Sequence, residues 1–389
     1  MSSARLVAAA LSAALAASVA AAGAGCVSNP SAARDPDLGR PLLHLRWRVV
    51  TSDRAREVKP QEFASITRVG DHVYTGSAGG RFFSLSALDG KVRWQERIGS
   101  VSSRPAVAGT LLYVGTDDGE LVALDMQTGK QAWKHEGRGP VLESPVVVDD
   151  MIIYANEADQ VYALDARKGT LRWTYKGETP EEYTLRGHAG VTVAGELAYT
   201  GFANGTMVAL RVKTGSVAWL TTLKGDSDRF VDVDGTPVVL GDTVYVTSSS
   251  GGVWAIDSTT GLVRWRMTLE GTTPSASVGA AGGLATDGER LYVAAADLGI
   301  YALDLDGNIL WRQGTRGGGE PATPIVTDDL IVYALADAGV FIADKRTGEL
   351  YEYFDPGDGV SGDPTVIDEQ ELYVLSNRGV LYAMDLREL

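Results

Sequence analysis

Four histidines, His44, His72, His135 and His188, and one cysteine, Cys26, are the residues of this 389-residue chain best suited to metal or nucleophilic chemistry. The histidines are scattered, with none of the short spacings that close a zinc site. Carboxylates are plentiful, and Asp125, Asp165, Asp257, Asp304 and Asp344 recur in one context, at the end of an apolar run before a polar turn. An Asp there accepts backbone hydrogen bonds from the turn that follows, which is structural work. The glycine-rich GTRGGGEP at 314–321 lacks the Lys-Ser/Thr pair of a phosphate-binding loop and reads as a connection between elements. No Gly-x-Ser-x-Gly elbow is present. This inventory yields no nucleophile, base and orienting group, so the elements that carry these residues are more informative than the residues alone.

Charge narrows the partners. The chain has 35 basic and 50 acidic residues, a net charge of −15, and no Lys/Arg-rich stretch. That balance argues against nucleic-acid binding and against electrostatic adhesion to an anionic membrane. The amino-terminal segment offers another route to a membrane. Arg5 precedes an almost unbroken small and apolar run from Leu6 to Ala22, followed by Gly23-Ala24-Gly25 and Cys26. The layout is that of a secretory signal, too short and too rich in alanine for a retained membrane span. A single cysteine excludes an intramolecular disulfide. One reading of Cys26 is a free thiol beside an ordinary signal peptidase site. Small-small-Cys resembles a bacterial lipobox, with Gly23 where Leu is commonest. The resemblance implies that residues 1–25 are a lipoprotein signal peptide and that Cys26 becomes the acylated first residue. Val27 in place of Asp favours the outer membrane, by resemblance to proteobacterial sorting. Residues 26–41 then form a polar, proline-containing tether.

The rest of the chain repeats itself. The phrase GELVALDMQTGKQAW at 119–133 returns as QVYALDARKGTLRW, GGVWAIDSTTGLVRW and GIYALDLDGNILW. Anchoring on the residue before the turn aspartate gives Leu85, Leu124, Leu164, Leu210, Ile256, Leu303, Ala343 and Met384, about 40 to 47 residues apart. A tyrosine ending the preceding run gives the same count: Tyr74, Tyr113, Tyr154, Tyr199, Tyr245, Tyr292, Tyr333 and Tyr373. Each unit holds short β-rich runs split by turn signals such as DDG and DMQTGK. Strands apolar on both faces suit a sheet packed between two others. Four strands per unit, eight times over, predicts an all-β, eight-bladed β-propeller of four-stranded antiparallel blades over residues 42–389. Trp94, Trp133, Trp173, Trp219, Trp265 and Trp311 follow their turn glycines at a fixed interval and read as packing between blades. The seventh unit has Glu352 there, and the eighth ends before such a position. Trp47, in LLHLRWRVV, fits the missing place, so residues 42–50 are expected to supply the last blade's outer strand. That closes the ring and removes the free sheet edge.

The irregularities carry the functional signal. The interval from repeat tryptophan to next tyrosine is short over Trp94–Tyr113 and Trp133–Tyr154. It lengthens over Trp173–Tyr199, Trp219–Tyr245 and Trp265–Tyr292, then shortens at Trp311–Tyr333. Equivalent connections of successive blades emerge on one rim, so three enlarged neighbours form one raised surface, a common signature of a binding face. The first contains GETPEEYTLRGHAGV at 177–191 and the second SDRFVDVDGTPVV at 227–239. Tyr183, Leu185 and Arg186 combine an aromatic, an apolar anchor and a guanidinium, a hot-spot composition. Asp232 and Asp234 alternate along an extended stretch and are expected to point the same way.

ALDxxTGxxxW is the repeat of the pyrroloquinoline-quinone-type (quinoprotein-like) propellers, a resemblance that covers residues 42–389. LRG before the fourth unit, DRFVDVDGTPVV before the fifth, the lipobox and the blade count together resemble the BamB family of outer-membrane assembly lipoproteins. The resemblance implies a non-enzymatic scaffold on the periplasmic face of the outer membrane. It implies docking on the POTRA domains of BamA through Tyr183, Leu185, Arg186, Asp232 and Asp234, with unfolded outer-membrane proteins as clients. No cofactor and no metal are implied. Tyr183 stands at a position usually apolar in that family. Two other functions compete, a small quinone-dependent enzyme and a ligand-sensing propeller unrelated to barrel assembly. Members of the enzyme class are generally longer, and many use a disulfide of adjacent cysteines that a chain with one cysteine cannot form. Arg211, in the turn-aspartate position of the fourth unit, has no functional account.

Overall fold

Short runs of β-branched and aromatic residues, cut by Gly- and Asp-containing turns, can satisfy their backbone groups only by pairing sideways. The computed structural model describes residues 41–52, 60–178, 188–224, 232–248, 252–269, 281–296, 299–314 and 318–387. These residues form eight four-stranded sheets, and no helix occurs among them. The second blade is representative, with strands Ala106–Ala108, Leu111–Gly115, Glu120–Asp125 and Gln131–Glu136 in sheet order. First strands of neighbouring blades approach one another around the central axis. Second and third strands are buried on both faces, with Leu121, Val122, Ala123 and Leu124 all at 1% exposure or less.

The turn aspartates do the expected local work: Gln127 N and Thr128 N both donate to Asp125 Oδ1, at 3.1 and 2.9 Å. In the fourth blade Arg211 replaces the aspartate, and its turn is held by backbone bonds instead, with Thr214 N and Gly215 N both donating to Arg211 O at 3.1 and 2.8 Å. Nothing in the structure explains that replacement.

Each repeat tryptophan reaches into the next blade. Trp94 Nε1 donates to Met126 O at 3.0 Å, and Trp133, Trp173, Trp219, Trp265 and Trp311 repeat the contact one blade further on. The tyrosine anchor often joins the tryptophan on the same carbonyl: Tyr74 and Trp94 on Met126 O, Tyr113 and Trp133 on Ala166 O. A β-bulge between third and fourth strands sits beside the tryptophan, so that Trp133 pairs with Ala123 while Gln131 pairs with Leu124. The extra residue turns the indole out of its own sheet and onto its neighbour.

Ring closure follows the expectation. Leu43–Val50 runs antiparallel to Val380–Leu386 as the outer strand of the eighth blade. Trp47 pairs with Ala383 and donates from Nε1 to Ala87 O of the first blade at 2.8 Å, as the other tryptophans do. The seventh blade solves the junction differently. No hairpin turn exists in the eighth blade to receive an indole, because its last two strands come from opposite ends of the chain. Glu352, 3% exposed, instead accepts from Leu42 N at 2.5 Å and Leu43 N at 3.1 Å. A carboxylate thus caps the entry of the closing strand.

Candidate functional site: the crown end and the axial cavity

Antiparallel order places the hairpins between first and second strands, and between third and fourth, at one end of the disc. Hairpins between second and third strands, and the blade-to-blade connections, lie at the other end, here called the crown. All three enlarged connections therefore leave and re-enter the disc at the crown. Of the expected docking residues, Tyr183, Leu185 and Arg186 lie outside the described residues, as does Cys26.

Asp232 and Asp234 are described, and neither is a freely exposed surface group. Val233 between them is buried, and its N donates to Phe202 O at 3.2 Å. Asp232 is 1% exposed. Asp234 is half-buried and lines a cavity on the propeller axis. Both thus lie beneath the crown surface, Asp232 within the wall and Asp234 at the cavity. Periodicity alone could not reveal this, because the stretch is not a strand with one solvated face.

The axial cavity is about 300 Å³, the lower end of the range for small-ligand pockets. Arg104, Glu143, His188, Asp234, Thr236 and Asp363 are among its walls. Several of these precede a proline at the start of an inner strand, as in Arg104-Pro105, Thr236-Pro237 and Asp363-Pro364. The residue before proline is confined to extended backbone, and here it stands at the axis. That recurrent X-Pro step is the sequence signal by which these residues could have been found.

Contacts across the axis are polar. Thr236 Oγ1 donates to Glu143 Oε2 at 3.4 Å, Thr323 N to Asp363 Oδ1 at 2.8 Å and Arg104 Nη2 to Pro364 O at 3.4 Å. Burial, reinforced by Asp363, pushes Glu143 up to about 8. Burial, with Asp232, Glu320 and Asp159 nearby, pushes Asp234 up to about 7. Burial raises Asp363 as well, against the opposing pull of Arg104.

His188 is occupied on both sides. Leu142 N donates to its Nε2 and its Nδ1 hydrogen bonds Ala189 O, each at 3.0 Å. The ring is neutral and committed to the backbone, and burial holds its pKa down to about 4. Among the described residues no group of three or more His, Cys, Asp or Glu could hold a metal ion. Among the described residues the cavity thus presents carboxyl groups and one guanidinium, without a nucleophile held by a base.

Fold and repeat together define a propeller of the class that also includes quinone-dependent dehydrogenases. The quinohemoprotein alcohol dehydrogenase of Comamonas testosteroni superposes with a TM-score of 0.70 at 14% identity, over 88% of this chain and 76% of that one. That similarity extends to the fold alone. The profile of the family described as outer membrane protein assembly factor BamB matches residues 98–281 and 239–388. The chain belongs to this family. BamB of Escherichia coli is 33% identical over 258 residues, 62% of this chain and 63% of that protein. BamB of Yersinia pestis is 26% identical over 217 residues, 53% of this chain and 44% of its own length. The matches thus span less than two thirds of these relatives. The crystal structure of BamB from Moraxella catarrhalis superposes with a TM-score of 0.72 at 23% identity, over 88% of this chain and 99% of that one.

Proposed function

We propose that the protein is a non-catalytic scaffold of the outer-membrane β-barrel assembly machinery, held at the periplasmic face of the outer membrane by acylated Cys26. In this reading the crown docks on the POTRA domains of BamA. Tyr183, Leu185 and Arg186 make the contact, and Asp232 and Asp234 support the surface from beneath. Docking orients the POTRA domains and favours transfer of unfolded outer-membrane proteins to the insertion site. The observation that carries the reading is the confinement of three successive enlarged connections to one end of an otherwise regular ring, in a chain of the BamB family.

The cavity supports a scaffold over an enzyme. A polyanionic quinone would meet the carboxyl groups of Glu143, Asp234, Glu320 and Asp363, with Arg104 as the one cationic wall residue among the described residues. Burial already holds Glu143 and Asp234 toward their protonated forms, and adding a buried polyanion beside them is unfavourable without compensating cations.

Capture of BamA POTRA domains by the purified full chain tests the proposal. Wild type should retain them, and Arg186→Glu should release them, because charge reversal in a hot spot costs the pairing and leaves an unmatched charge. Unaltered capture by Arg186→Glu would remove the crown from the interface.

A further inference from the structure

Arg104 balances only part of the carboxyl charge around the axial cavity. It acts on Glu143 and Asp363, lowering both against their burial. Asp234 has no such partner. Among the described residues no hydrogen bond reaches its carboxyl, and every charge that acts on it is another carboxyl, Asp232, Glu320 or Asp159. Glu143 is deeply buried yet thinly served, by Thr236 Oγ1 at 3.4 Å and a weak bond from the Ser144 amide. In the same wall Ser361 Oγ is fully buried and has no hydrogen-bond partner. Buried polar groups ordinarily find partners, and buried charges are ordinarily paired. This wall therefore holds acceptors that the fold leaves unused, beside negative charge that it leaves unbalanced.

The group that answers both is a compact organic cation. The carboxyl groups are too dispersed for a metal ion, since no three of the described His, Cys, Asp or Glu residues could hold one. A primary ammonium carries three donors on one charged atom and reaches separate acceptors at hydrogen-bond distance. Phe63, Leu142 and Ala322 supply apolar wall for an attached alkyl chain. A volume of about 300 Å³ accommodates a short aliphatic amine. Gln61 and Glu320 are exposed wall residues in blade-to-blade connections, and they mark the mouth of the cavity at the crown.

We propose that the axial cavity is a binding site for a primary alkylammonium group, with Glu143, Asp234 and Asp363 as its acceptors. A free amine and a lysine side chain present the same chemistry. The inference does not rest on the docking reading above. Protons couple to it. The titratable and charged wall residues around Glu143 are Arg104, Asp363, Asp234, Glu320 and His188, the last neutral and committed to the backbone. Burial holds Glu143 and Asp234 toward their protonated forms, whereas a bound ammonium favours the carboxylates. Binding thus releases protons, and affinity rises with pH across the neutral range.

Titration calorimetry of the full chain with diaminobutane, in physiological salt, tests the proposal. Binding should saturate, exceed that of the uncharged butanediol, and tighten roughly tenfold between about pH 6.5 and 8. Glu143→Gln removes a charge-assisted acceptor, so it should weaken binding roughly tenfold and flatten the pH dependence. Arg104→Gln removes the opposing cation while keeping a donor for Pro364 O, and should tighten binding severalfold. Opposite signs from two uncharged replacements separate the cavity from loose association of a cation with a chain of net charge −15. The peptide acetyl-Gly-Lys-Gly-amide, with norleucine in place of lysine as its control, distinguishes the sources. Saturable binding of either probe that responds to Glu143 supports the proposal, and the tighter probe identifies the source. Binding of neither probe near pH 8, or binding indifferent to both substitutions, overturns it. Asp234→Asn serves in place of Glu143→Gln should that variant fail to fold, with the same weakening expected.

Discussion

The turn glycine of each of the first seven blades meets two demands at once. Gly129 sits at φ 72°, and a β-carbon there would lie 2.6 Å from Cε3 of Trp94 in the preceding blade. The same relation holds between Gly90 and Trp47, with 2.7 Å to Cε3. Backbone freedom and van der Waals space are separable, because Gly109 has a similar φ of 59° and a β-carbon there would have nothing within 4 Å. Gly109→Ala should therefore cost only the left-handed penalty, roughly 1 kcal/mol. Gly129→Ala adds displacement of a packed indole, itself worth roughly 1–3 kcal/mol, for a total of about 2–4 kcal/mol. Urea denaturation of the two variants makes the comparison. Equal losses would show that the indole contact carries no weight and that backbone conformation alone selects glycine.

At the scale of the element, the closing strand Leu43–Val50 is held at both ends of its face by groups that no local pattern announces. Arg46 and Arg68 share Glu371, at 2.6 Å to Oε1 and Oε2, which fastens the eighth blade to the first. On the other side Glu352 holds Leu42 N and Leu43 N. Glu352→Ala leaves two amides without their acceptor and should destabilise the chain by about 1–3 kcal/mol. The fastest-rising hydrogen exchange should be in the 42–50 amides. Glu352→Trp, which restores the residue common to the other blades, should also destabilise, since the eighth blade has no turn glycine to receive the ring. A Glu352→Trp variant at least as stable as wild type would show that the carboxylate is incidental. The strand itself was legible, because Trp47 matched the spacing of six other tryptophans relative to their runs. The role of Glu352 was not, because its partners lie 310 and 309 residues away. Repetition reveals what every blade shares. It is silent on the one junction where the chain's two ends meet.

The whole molecule adds a property that belongs to no single blade, since the axial cavity collects one or two groups from each of several inner strands. This is also why the site was read only in part: Asp234 stood out in the sequence, whereas Arg104, Glu143 and Asp363 converge only when the ring closes. Their convergence predicts an unusual dependence of stability on pH. Glu143 titrates near 4.5 when exposed and at about 8 in the fold. Between those values the folded chain keeps a proton that the unfolded chain has released, so stability falls as pH rises. Asp234, ordinarily near 3.8 and pushed to about 7, acts in the same sense. His188 opposes them: held at about 4 against an ordinary 6.5, it leaves the unfolded chain with more bound protons, and stability falls as pH drops through that interval. The two effects offset one another below pH 6.5. Above it the carboxyl groups act alone, so the melting temperature should decline from about pH 6.5 to 8. Glu143→Gln keeps the side chain's shape, has no proton to lose, and should flatten most of that decline; below pH 6.5, where Glu143 no longer opposes His188, stability should fall more steeply as pH drops. Thermal melts of both proteins across this range decide the matter, and an equally steep decline in Glu143→Gln would mean that the axial carboxyl groups are ionised together with the rest of the surface.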